Sequence, residues 1–109
     1  MAWLVREGQV LASLEIASSM RERSRGLLGR DGFEGALLLR PAKSVHTLGM
    51  RFAIDVAFVD KDLVVLRKVT MARWRLGRPV WKAHGVIEAR AGTFGHWNLQ
   101  VGEHLEVKG

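Results

Sequence analysis

Hydrophobic positions along this chain fall in many short runs separated by turn-forming residues, and only one stretch carries a helical signature. Ala2–Val5 and Gln9–Ile16 are β-prone, and Glu7-Gly8 between them predicts a tight hairpin turn. In the second run Val10, Ala12, Leu14 and Ile16 recur at the two-residue period that lines one face of a strand. Ser19 to Gly29 is the helical stretch. Ser19 followed by Glu22 has the capping-box spacing, Met20, Leu27 and Leu28 supply a buried stripe, and Gly29 or Gly32 closes the helix. Ala36–Leu39 is a short strand that Pro41 ends, and Ala42–Met50 is a polar loop returning to the core. The strongest strands are Ile54–Val59 and Leu63–Val69, joined by Asp60-Lys61-Asp62. Arg73–Pro79 is basic and irregular, Val86–Ala89 is another short strand, and Thr93 caps one helical turn near Phe94–Leu99. A last strand covers His104–Val107. Many short strands with one inserted helix predict a mainly β fold at the border of α+β. The expectation is a β-sandwich-like or barrel-like single domain over residues 1–109, with one packed helix after the second strand. Strand order is not legible in this pattern.

Composition narrows the function classes. The 109 residues are 48% hydrophobic and 26% charged, ordinary for a globular chain and far from a disordered one. No cysteine is present, which excludes disulfides, thiolate catalysis and thiolate metal sites. Arg6 and Glu7 interrupt the N-terminal run, and neither a signal-peptide core nor a membrane span follows, so a cytoplasmic location without membrane contact is expected. The net charge is +6, and it is concentrated. Ten of the 17 lysines and arginines, but only three acids, lie between Gly35 and Ile87. Such a field draws anions, among them nucleic acids and phosphorylated or carboxylated small molecules.

Three segments, in order, resemble a known family. They are Arg23-Ser24-Arg25-Gly26-Leu27-Leu28-Gly29-Arg30; His46-Thr47-Leu48-Gly49-Met50-Arg51-Phe52-Ala53-Ile54-Asp55-Val56-Ala57-Phe58-Val59-Asp60; and Val86-Ile87-Glu88-Ala89-Arg90-Ala91-Gly92-Thr93 with Leu99–Val107 after it. Together they resemble the domain-of-unknown-function family 192 over nearly the whole chain. The resemblance implies a compact β-sandwich-like or barrel-like domain with a helix near its start, and no established activity. Three positions depart from the family pattern: Ala53 stands where proline is frequent, Leu63 where a hairpin glycine is frequent, and Glu103 where aspartate follows Gly102.

The candidate chemistry rests on a few polar residues. Asp55 lies in an otherwise apolar strand, where a carboxylate must be paired, hydrogen-bonded or at a cleft. It reads either as a pocket acid or as one half of a structural ion pair with an arginine such as Arg23. His46 and Thr47 sit on the preceding loop, where binding groups concentrate. Arg23 and Arg30 are spaced to share a helix face and clamp a carboxylate or phosphate. The leading expectation is a non-catalytic binding module for a small anionic or polar ligand, such as a sugar or carboxylate, held by His46, Thr47, Asp55, Arg23 and Arg51. A second is a nucleic-acid-associated domain using Arg73, Trp74, Arg75, Arg78 and Trp81, where bases and aromatics interleave without an acid. A third is a hydrolase-like enzyme with Asp55 and His46 as an acid/base pair. The four isolated histidines offer no metal-ligand spacing, and no nucleotide fingerprint is present, so no metal and no cofactor are expected. Oligomeric state is not encoded in this pattern.

Overall fold

The computed structural model describes residues 2–109. Its elements are β1 (Ala2–Arg6), β2 (Gln9–Ala17), α1 (Met20–Arg25), β3 (Ala36–Leu39), β4 (Ile54–Val59), β5 (Val65–Met71), β6 (Gly85–Arg90), α2 (Thr93–Trp97) and β7 (Glu106–Lys108). The fold is mainly β. Seven strands form one sheet in the order β5-β4-β6-β3-β2-β1-β7. Only β2 and β3 run parallel, and a parallel pair needs a crossover. Helix α1 and the loop after it supply that crossover. The segment leading into β7 bonds to the start of β5: Val65 N donates to Glu103 O (2.9 Å), Gly102 N to Val65 O (2.7 Å) and Leu105 N to Leu63 O (3.0 Å). Those bonds bring the two ends of the sheet together, so it curls around an interior.

Strand alternation divides the buried residues between two faces. Ala57 and Val59 of β4 join Leu4, Leu38, Ile87, Phe94 and Leu105 on one face. Ile54, Val56 and Phe58 join Leu27, Leu39, Met50 and Met71 on the other. All six residues of β4 are buried, because protein covers both faces.

Beyond shifts of about two residues at the bounds of β5, α2 and β7, local details depart from the sequence reading in three places. The hairpin turn forms as expected, with Glu7 and Gly8 both at positive φ (51° and 79°). The pairing then slips, from Leu4 opposite Ala12 to Val5 opposite Val10. This bulge skips Leu11, breaks the two-residue period and leaves Val10 59% exposed. Helix α1 has its capping box at Ser19 and Glu22 but stops after six residues, at Gly26 (φ 49°) instead of Gly29 or Gly32. Its stripe is accordingly smaller: Leu27 is buried, Leu28 lies at the surface and Met20 is 76% exposed. The third concerns Thr93, which makes no cap. Gly92 occupies that position without a side-chain cap bond, and Asp55 bonds the free amides from a different strand.

Candidate functional site

Among the described residues Asp55 and Glu88 are the two buried carboxylates, each 3% exposed. They stand on the neighbouring strands β4 and β6 but face opposite sides of the sheet. Asp55 pairs with Ala89 and points with Ala57 toward the interior. Glu88 lies opposite Val56 and Leu37 and points with them toward α1.

Asp55 is fully engaged. Thr70 Oγ1 donates to Oδ1 (2.6 Å), and the amides of Gly92 and Phe94 donate to Oδ2 (3.0 and 2.9 Å). This carboxylate fastens the start of α2 to the sheet, and hydrogen bonds of this charged kind are the stronger ones. No arginine takes part. Arg23 instead donates through Nη1 to Ser18 O (3.0 Å), in the link just before α1, so the expected Arg23–Asp55 ion pair is not formed.

Glu88 is the opposite case. Its Oε1 is buried without a hydrogen-bond partner. Burial raises its carboxyl from the ordinary 4.5 to about 7. Gly26 closes over it: a Cβ at that position would lie 3.4 Å from Oε1, and the φ of 49° there favours glycine. The termination of α1 at Gly26 thus lets the chain approach the carboxyl closely.

A cleft of about 230 Å³ opens beside this carboxyl, walled by Arg23, Ser24 and Arg25 of the α1 segment and by Ser44 and His46 of the loop before β4. Arg25 makes no ion pair among the described residues. His46 Nδ1 accepts from Leu48 N (3.2 Å), which leaves Nε2 to carry the ring proton as a free donor. The cleft therefore joins guanidinium and imidazole donors to one buried acid.

Thr47 holds the loop that carries His46. It is completely buried, donates through Oγ1 to Ala72 O (2.6 Å) and accepts there from Arg75 N (2.8 Å). Backbone bonds from Thr47 N to Arg75 O (2.8 Å), Trp74 N to Thr47 O (2.9 Å) and Gly77 N to Val45 O (2.9 Å) continue the contact. The His46–Thr47 loop and the basic Arg73–Pro79 segment, read as separate in the sequence, are one clamped platform. The platform turns Trp74 (62% exposed) and Trp81 (75% exposed) outward with Arg73, Arg75 and Arg78.

Of the expected binding residues, the structure brings Arg23 and His46 together at one cleft. Thr47 supports that cleft from below its loop. Asp55 lies on the far face of the sheet, with every oxygen engaged, so the Asp55/His46 acid/base pair is not assembled. Arg51 is ion-paired with Asp31 at the surface. The Arg23/Arg30 clamp also fails to form, because α1 ends before Arg30, which bonds Glu15 (2.9 Å) and lies over the Phe33 ring. Sequence reasoning passed over Glu88. The signal was the one that singled out Asp55: a lone acid in an apolar strand run, here Val86-Ile87-Glu88-Ala89. Among the described residues no cluster of three metal-binding side chains occurs, and no helix is long and apolar enough to cross a membrane.

Comparison with other proteins places the chain in a family. The family model DUF192, described as "Uncharacterized ACR", matches residues 3–107. A UPF0127 protein of Pyrococcus abyssi is 29% identical over 105 residues, covering 92% of this chain and 86% of that protein. One from Pyrococcus furiosus is 27% identical over 103 residues, covering 90% and 89%. A crystal structure from Novosphingobium aromaticivorans, of unknown function, superposes with a TM-score of 0.79 at 16% identity, over 96% of this chain and 82% of that one. A Sinorhizobium meliloti protein put forward as a transcription regulator gives 0.81 at 18%, over 97% and 91%. At such identities the two crystal structures speak for the fold alone. The match along nearly the whole length, with the three segments in order, makes this chain a member of the DUF192 family.

Proposed function

We propose that this protein is a binding module for a small hydroxylated anion, of the sugar-acid or hydroxy-acid kind, seated in the cleft between α1 and the 44–50 loop. One observation carries the reading: Glu88 keeps a buried oxygen without a partner at a cleft whose walls supply guanidinium and imidazole donors. A buried polar atom left unbonded costs about 1–3 kcal/mol, so such an atom beside an opening is a position where a ligand gains by supplying the missing bond. The cleft, at about 230 Å³, is smaller than the roughly 300 Å³ at which drug-sized pockets begin, which favours a compact ligand. An acid group on the ligand meets Arg25 and the free Nε2 of His46, and a ligand hydroxyl meets Glu88.

A thermal-shift screen of sugar acids, hydroxy acids, polyols and inorganic phosphate tests this. The expected result is stabilisation by hydroxylated anions, weakened by Arg25→Gln and abolished by Glu88→Leu. No stabilisation by any of them at millimolar concentration removes the reading. Stabilisation that survives Glu88→Leu also removes it, by placing the ligand elsewhere.

A further inference from the structure

The platform that carries His46 has a second side. There β5 and the loop after it enclose a groove of about 380 Å³. Val69, Met71 and Leu76 give it an apolar lining, Arg67, Arg75 and Arg78 stand around it, and no carboxylate lines it. None of these three arginines makes an ion pair among the described residues. The chain has no acid between Leu63 and Ile87, so nothing local neutralises them. Beside the groove, Trp74 is held at a φ of 63°, a left-handed conformation that large residues rarely adopt. The bond from its amide to Thr47 O fixes it there, with the indole in solvent. Such a setting costs energy in the free protein and gains little from burial.

We propose that this groove and Trp74 form a binding surface for single-stranded nucleic acid. One base lies against Val69, Met71 and Leu76, the phosphates on either side meet Arg67, Arg75 and Arg78, and the next base stacks on Trp74. Unpaired bases have free faces, and stacking on an exposed aromatic beside guanidinium groups is how sequence-tolerant single-strand binding is built. A duplex keeps its bases stacked within itself and offers none to Trp74. A lipid surface is flat and meets protruding apolar residues ringed by cations, whereas here the arginines line a recess. The surface is distinct from the Glu88 cleft and stands or falls without it.

The test is fluorescence anisotropy of labelled oligo(dT) and oligo(U) titrated with the full chain at several salt concentrations. Comparison of the two arms shows whether the sugar matters. Trp74→Ala is expected to weaken binding by about tenfold, with Trp74→Phe restoring most of it. Arg75→Gln with Arg78→Gln is expected to make the slope of log affinity against log salt shallower by about 1.4, the value for two phosphate contacts on a single strand. Arg21→Gln with Lys61→Gln removes the same charge from exposed sites elsewhere and is expected to leave that slope unchanged. The proposal is overturned by an absence of binding, or by a remote pair that weakens binding as much as the groove pair. Equal binding to duplex DNA or to anionic phosphatidylglycerol vesicles, or indifference to Trp74→Ala, also overturns it.

Discussion

Asp55 and Glu88 are a matched pair with opposite fates. Both are carboxylates in apolar strand runs, on adjacent strands, equally buried. Asp55 faces the interior, where Thr70 and two amides of the α2 start surround it. Glu88 faces a wall made by α1, whose glycine terminus approaches closely but donates nothing to Oε1. Burial alone therefore does not mark a functional acid. Whether the fold itself completes the hydrogen bonds decides it: the completed one is a fastening, and the incomplete one faces a cleft.

The sharpest way to break this contrast is to remove each acid in turn. Asp55→Ala leaves two amides and a hydroxyl without their acceptor and is expected to cost about 3 kcal/mol or more in chemical denaturation, with α2 loosened. A loss below about 1 kcal/mol would mean that water replaces the carboxylate easily.

The next largest effect is a pH dependence that belongs to Glu88. Its folded value of about 7 lies above the ordinary 4.5 of the unfolded chain. Between those values the folded state binds more protons than the unfolded state, so stability is full below pH 4.5 and falls as pH rises through about 7. The loss is on the order of 3 kcal/mol between the two limits, and Glu88→Gln is expected to abolish that slope in denaturation curves taken across the range. An unchanged slope in the variant assigns the titration to another group.

Smaller effects separate charge from hydrogen bonding. Asp55→Asn can still accept from both amides through its oxygen and donate to Thr70 Oγ1, so it is expected to cost only about 1 kcal/mol. Thr70→Val, which removes one donor, is expected to cost a similar amount. Smallest of all, Glu88→Gln in acid, where the native side chain is protonated, should change stability by less than about 1 kcal/mol. A larger loss there would show that the carboxyl makes a bond the variant cannot.

Much of this architecture was legible because short-range physics controls it. The β1–β2 turn at Glu7-Gly8, the capping box at Ser19 and Glu22, and the buried run of β4 each follow from a few neighbouring residues. Long-range pairing was not legible. The parallel match of β2 with β3 and the closure of the sheet through Gly102–Leu105 depend on residues far apart in sequence. The chemistry divides the same way. Asp55 was recognisable as a carboxylate that must be answered, but its partners come from β5 and α2, remote in the chain. Glu88 carried the same signal, yet its distinction from Asp55 lies in the absence of a partner, which only packing against Gly26 determines. Leu63, just past the β4–β5 turn, takes a φ of 66°, a left-handed setting that favours glycine.

The most direct test is a carbon-detected NMR titration of the Glu88 side-chain carboxyl, run from about pH 3 to about pH 9, with and without a hydroxylated anion that stabilises the fold. The expected result is a midpoint near 7 in the free protein and a displaced Glu88 resonance in the complex. A midpoint in the ordinary carboxylate range, with a resonance indifferent to the ligand, would contradict it.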